Sequence, residues 1–167
     1  LKRFVGLWRD ATTHFPARFT VENGILRIEG SPVRFAADDV LLLGSTRANV
    51  TFDKDGRPTS IEAVQNDGSL MRLVADTGWT PTADEMKRFS GEWYSDEAQA
   101  KVAFTVEGGK AYLVNKPVIR LEMQPLYRDH FIAGGYVVWF TRDRSGKIER
   151  MHVGTGRMRD MFFDRVK

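Results

Sequence analysis

Two blocks of this chain recur at one spacing, and a repeat of that kind restricts the chain to a duplicated architecture. Lys2-Arg3-Phe4-Val5-Gly6-Leu7-Trp8 returns as Lys87-Arg88-Phe89-Ser90-Gly91-Glu92-Trp93, an offset of 85 residues. Phe19-Thr20-Val21-Glu22-Asn23-Gly24 returns as Phe104-Thr105-Val106-Glu107-Gly108-Gly109 at the same offset of 85, and Val33 and Val118 keep that register. Beyond this point the halves drift, which places a longer excursion of the second half over Arg128 to Gly135. Phe52-Asp53-Lys54-Asp55-Gly56 then answers Phe140-Thr141-Arg142-Asp143-Arg144-Ser145-Gly146, with two extra residues in the turn. The predicted units are 1–76 and 86–167, joined by a linker over 77–85.

The linker carries its own punctuation. Gly78 and Pro81 break regular structure. Thr82-Ala83-Asp84-Glu85 is a capping box, in which Thr82 accepts from the Glu85 amide and the Glu85 carboxylate reaches back to the Thr82 amide. A short helix over Ala83 to Arg88 is predicted to lead into the second unit. By the repeat offset the matching box of the first unit falls before Leu1, so an upstream neighbour is expected.

Within each unit the dominant period is two, the signature of half-buried strands. In the second unit strands are predicted at 91–95, 102–107, 110–114, 118–123, 129–133, 136–142, 147–153 and 159–166. Gly108-Gly109, Asn115-Lys116-Pro117, Gly134-Gly135 and Arg144-Ser145-Gly146 separate them as turns. The first unit has matching turns at Glu22-Asn23-Gly24, Gly30-Ser31-Pro32, Asp38-Asp39, Lys54-Asp55-Gly56 and Asn66-Asp67-Gly68. Eight short antiparallel strands with hairpin-sized links leave exposed edges unless the sheet closes, so each unit is predicted to be an all-β, up-and-down barrel. A single 16-stranded sheet is the alternative, disfavoured because the capped linker separates two complete sets.

Charge and composition narrow the function classes. The net charge is +3, with ten basic and ten acidic residues over 1–76 but fifteen and ten over 86–167. The excess includes Arg142, Arg144, Lys147, Arg150, Arg157, Arg159 and Arg165, yet Asp143, Glu149, Asp160 and Asp164 are threaded among them. That mixture reads as a solvated strand face rather than a nucleic-acid groove. Cysteine is absent, which excludes disulfides and thiolate metal sites. The longest apolar run, Tyr136-Val137-Val138-Trp139-Phe140, is far too short for a membrane-spanning helix.

Phe4, Gly6 and Trp8, like Phe89, Gly91 and Trp93, share one face of a strand. Glycine admits a crossing segment, and the tryptophan can plug a barrel end. A cation from the last strand is expected across each indole: Arg72 in the first unit, Arg159 or Arg165 in the second. Gly-x-Trp on the first strand with a terminal-strand arginine resembles the lipocalins and related calycin barrels. The compact tandem form is more similar to the C-terminal barrel domains of serine β-lactamase-related peptidases of the D-aminopeptidase kind. That resemblance implies a non-catalytic region at the C-terminus of a hydrolase, packed on a missing N-terminal catalytic domain and restricting substrate access. It also implies a periplasmic or extracellular setting. Each unit is about half the length of a true lipocalin, which argues against a roomy ligand cavity.

None of the seven serines (Ser31, Ser45, Ser60, Ser69, Ser90, Ser95 and Ser145) has Lys three residues on, and no Tyr-x-Asn occurs. His152-Val153-Gly154 resembles the third motif of that hydrolase family in isolation. His14, His130 and His152 have no metal-ligand spacing, and Gly154-Thr155-Gly156 is a turn rather than a dinucleotide fingerprint. No catalytic residue, metal site or cofactor is predicted. Tyr136 to Phe140, Met161-Phe162-Phe163 and Val40 to Leu43 are apolar on both strand faces, so one face needs cover. Barrel-on-barrel packing, a catalytic domain, a homodimer and a lipid patch all satisfy that need. For docking, the predicted residues are Tyr136, Trp139, Arg128, Gly134 and Gly135. A stand-alone binder of a small hydrophobic ligand is the alternative function.

Overall fold

The computed structural model of the chain describes residues 1–115, 117, 119–158 and 160–166. It divides into two compact units, Leu1–Thr77 and Gly78–Lys167. The first unit opens on a 3-10 turn, Lys2–Phe4, and continues as β1 (Gly6–Asp10), β2 (Pro16–Glu22), β3 (Ile25–Ile28), β4 (Ser31–Ala37), β5 (Val40–Leu43), β6 (Thr46–Phe52), β7 (Pro58–Val64) and β8 (Leu70–Asp76). Each strand pairs antiparallel with the next, and β8 returns to β1 to close the barrel. The second unit begins with α1 (Ala83–Lys87) and runs through β9 (Gly91–Ser95), β10 (Ala100–Glu107), β11 (Lys110–Asn115), β12 (Ile119–Pro125), β13 (His130–Ala133), β14 (Tyr136–Arg142), β15 (Ile148–Thr155) and β16 (Met161–Arg165). It closes where Asp164 faces Tyr94 and Arg165 faces Trp93. The chain is therefore two tandem eight-stranded antiparallel barrels. Closure pairs every strand on both sides, which removes the edges that hairpin meanders otherwise expose.

Alternation sends one face of each strand inward. Phe19, Leu41, Ala48 and Ile61 are fully buried in the first barrel; Phe104, Phe131, Val138 and Met151 are fully buried in the second. In the second barrel the rings form one network, with centroids 4.7 Å apart for Phe89–Phe140, 4.9 Å for Phe104–Phe131 and 5.2 Å for Phe104–Phe140. In the first, Trp8 lies 5.6 Å from Phe19, and Phe4 lies 5.6 Å from Phe35 and 6.2 Å from Phe52. Both interiors are packed with their own side chains, as barrels of short strands are. The capping box forms as read: the Thr82 amide donates to Glu85 Oε2 at 2.8 Å, and the Glu85 amide donates to Thr82 Oγ1 at 3.2 Å. Those bonds hold the Glu85 carboxyl below its ordinary range.

Register corrects the duplication. The offset of 85 holds through β3, where Leu26 and Ala111 are both buried. From β4 onward it is 90: buried Val33 answers Met123, Leu41 answers Phe131, Ile61 answers Met151 and Leu73 answers Phe163. Two hydrogen bonds repeat at that offset, Val50 N to Asp39 O at 2.8 Å and Phe140 N to Asp129 O at 3.0 Å. The five extra residues sit in the β11–β12 hairpin: Ile28 faces Ser31 in the first barrel, whereas Leu113 faces Leu121 in the second. The stretch Arg128 to Gly135 is thus no insertion, but matches 38–45 residue for residue as a turn, a strand and a turn. Nor are there extra residues in the later turn. Asp53 Oδ1 takes the amides of Asp55 and Arg57, and Asp143 Oδ1 takes those of Ser145 and Lys147. Phe52 therefore answers Arg142, not Phe140. Val118 lies outside the described residues.

Candidate functional site: the plugged end of the second barrel

The two barrels share a plugging device but complete it differently. Gly6 and Gly91 have φ of 143° and 155°, values that side-chain-bearing residues rarely adopt. Each turns the chain from its lead-in into the first strand, so that Phe4 or Phe89 caps the interior above Trp8 or Trp93. In the first barrel the Trp8 indole N–H donates to Phe4 O at 3.0 Å. In the second, Trp93 Nε1 is buried with no hydrogen-bond partner among the described residues. Trp93 is instead covered by Arg165, whose guanidinium carbon lies 4.8 Å from the ring centroid. Arg165 Nη2 donates to Arg88 O at 3.0 Å and Ser90 O at 3.2 Å, tying the last strand to the lead-in. A Cβ at Gly91 would meet that guanidinium in ordinary van der Waals contact, at 3.7 Å, so it is the φ rather than space that calls for glycine.

Trp8→Phe is expected to cost more than Trp93→Phe by about 1 kcal/mol, the net worth of one hydrogen bond. Both changes remove the same ring volume, but only the first breaks a bond formed in the native state. Urea melts of the two variants compare them directly, and equal losses would contradict the assignment.

Arg165 performs the role expected of it, and Arg72 does not. Arg72 lies on the outer face of β8, where its Nε sits 3.1 Å from the Glu62 carboxylate. The residue facing Trp8 across the closure is Ala75, at the position that answers Arg165. Parity is the reason: Leu73 and Ala75 share the inward phase, and Arg72 has the other. Arg159 lies outside the described residues.

Around the plug, residues that composition does not announce do most of the holding. Trp79 packs edge-on against Phe89 and Phe131, with centroids 5.9 and 5.7 Å away, and its amide donates to Leu126 O at 3.0 Å. The linker from Gly78 onward accordingly belongs with the second unit. Asp129, at φ 63°, receives Arg142 through Nε at 2.8 Å and Nη2 at 2.7 Å, while Arg142 Nη1 donates to Gly146 O at 2.8 Å. The Asp129 bond raises the Arg142 pKa above its ordinary value. Both side chains are half-buried, Asp129 at 15 % and Arg142 at 28 % exposure. Sequence pattern missed this pair because its partners are thirteen residues apart and meet only through the β13–β14 pairing.

The five residues predicted to dock a partner do not form one patch. Tyr136 has the inward parity of Val138 and Phe140 and packs on the barrel core. Trp139 has the opposite parity and lies between two parallel imidazoles, His130 at 6.3 Å and His152 at 5.2 Å. Arg128 borders the plugged end, beside Glu85, Arg88 and Phe89. Gly134 and Gly135 form the turn at the other end of β13, about 13 Å away at ~3.3 Å per residue. They are a tight hairpin rather than a reaching loop, with φ of 52° and 85°.

His152 has a partner on each ring nitrogen: Asp160 Oδ1 at 2.9 Å from Nδ1 and Thr141 Oγ1 at 3.4 Å from Nε2. The order is that of a hydrolytic triad, but it lies on an outer strand face. Among the described residues no group of three or more His, Asp or Glu is placed to hold a metal ion. No helix is long and apolar enough to cross a membrane.

Several open clefts border the second barrel. One of about 430 Å³ lies on the outer face of β9 to β12, floored by Ala103, Thr105 and Val114 between the Lys101–Glu92 and Arg120–Glu107 ion pairs. One of about 290 Å³ lies between the Trp79-Thr80-Pro81 strap and the β11–β12 ends. Another, of about 220 Å³, is bordered by Arg88, Arg142, Gly146, Lys147, Ile148 and Arg165. Searches of protein-family models and of curated protein sequences find no significant match to the chain.

Proposed function

We propose that this chain is the non-catalytic tandem-barrel region of a serine β-lactamase-related hydrolase, packing on a catalytic domain and limiting which substrates reach it. The observation that supports it best is the filling of both barrels by their own aromatic and aliphatic side chains, so that binding falls to outer surfaces. The paired Gly-x-Trp strands and the Arg165 cover of Trp93 fit the resemblance on which the proposal rests. A carrier of small hydrophobic ligands would need an interior volume of at least about 300 Å³. The ring network from Phe89 to Phe140 occupies the space where that volume would have to be.

The test is to read the natural coding sequence around this chain and assay its full product. A neighbouring domain with Ser-x-x-Lys and Tyr-x-Asn is expected, and removing the barrels should widen its substrate range or destabilise it. A natural product without such a domain overturns the proposal. Saturable shifts of Trp8 or Trp93 emission with fatty acids would instead establish the carrier.

A further inference from the structure

The plugged end of the second barrel differs from its counterpart in one chemical respect. In the first barrel Arg3 lies over Phe52, 4.4 Å from the ring centroid, so the cation there is matched to an aromatic face. The corresponding pair in the second barrel is Arg88 and Arg142, two cations. At the remaining two positions Arg57 answers Lys147, and Ala75 answers Arg165. The cleft of about 220 Å³ therefore has four cationic residues on its border and no carboxylate.

The neutralising groups nearby are committed elsewhere. Asp129 takes both nitrogens of Arg142. Glu85 is bound to Thr82, and Asp143 to the amides of its own turn, although both carboxylates feel Arg88 or Lys147 at a distance. Asp143 and Glu149 border the adjoining cleft, which shares Lys147, Ile148 and Arg165 with this one, but neither forms an ion pair with Lys147 or Arg165 among the described residues. Among the described residues Arg88, Lys147 and Arg165 have no ion-pair partner. Arg165 is further constrained: its Nη2 is fixed by two carbonyls, and its buried Nε donates to nothing described. Holding cations together around a concave surface without a counter-charge is unfavourable, and a bound anion relieves it.

We infer that this cleft is a binding site for a small oxyanion, a carboxylate or a phosphate, contacted by Lys147 and Arg88 and held against the fixed guanidinium of Arg165. Arg142 supplies mainly field, because all three of its guanidinium nitrogens already donate, to Asp129 and to Gly146 O. The site is a property of the second barrel alone. It stands independently of the proposed accessory role.

The experiment follows the amide resonances of Gly146, Lys147 and Ile148 in the intact chain as inorganic phosphate or acetate is added, with chloride holding ionic strength constant. Saturable shifts confined to this end are expected with at least one anion. Lys147→Ala and Arg88→Ala should each weaken binding by about tenfold, the loss of one charge-assisted contact. Arg57→Ala in the first barrel should leave binding unchanged. Saturation by phosphate alone assigns a phosphate site, and saturation by both assigns a general carboxylate-type site. Shifts that stay linear, or that persist equally in Lys147→Ala, overturn the inference.

Discussion

Trp93→Ala is expected to lower the stability of the second barrel by about 3–5 kcal/mol, the range for deleting a large buried aromatic. Trp93 has no exposed surface and packs 5.5 Å from Phe140, which itself touches Phe89 and Phe104. Removing the indole opens a void at the plug that aromatic neighbours, fixed on paired strands, can fill only partly. It also strips Arg165 of the ring beneath it, leaving a guanidinium held only by two carbonyls. A domain of this size has roughly 5–15 kcal/mol to lose, so the variant should sit near the edge of folding. Hydrogen exchange of the β9 and β16 amides reads the outcome. Protection unchanged from wild type would mean that the plug is not what closes this barrel.

Asp129→Ala should cost about 2 kcal/mol, because it takes two charge-assisted hydrogen bonds from a half-buried Arg142. The informative comparison is the double variant Asp129→Ala/Arg142→Phe, in which the ion pair gives way to the aromatic that the first barrel carries at Phe52. Replacing an ion pair that is shielded from water by a well-packed hydrophobe is often neutral or stabilising, so most of the lost stability should return. Asp129→Asn separates charge from backbone, since asparagine tolerates the φ of 63° that alanine resists. Thermal melts of the three variants are the measurement. A double variant no better than Asp129→Ala would show that the backbone turn, not the charge, is what Asp129 supplies.

Legibility in the sequence tracked how local the causing interaction is. The capping box at Thr82–Glu85, the turns at Asn23-Gly24 and Gly134-Gly135 and the strand parity all come from residues a few positions apart. They appear in the structure where the sequence predicts them. The Trp93–Arg165 contact was legible only as far as a choice between Arg159 and Arg165, because the motif on the first strand names the end that the last strand must reach but not which of its residues arrives there. The Asp129–Arg142 pair, the Trp79 strap and the His130–Trp139–His152 stack were not. Each joins residues that only strand pairing or chain return brings together.

Two tandem barrels of eight strands followed from the repeat, the turn spacing and the need to pair edges, all of which are written locally along the chain. Register did not. A period of two sets which face a residue takes but leaves open which residue it faces across a neighbouring strand. The extra five residues could therefore be placed only once Leu113 was seen to face Leu121. That register in turn aligned Phe52 with Arg142 and Ala75 with Arg165. Two diverged repeats specify one fold twice, while the closure of each barrel decides which side chains meet at its end.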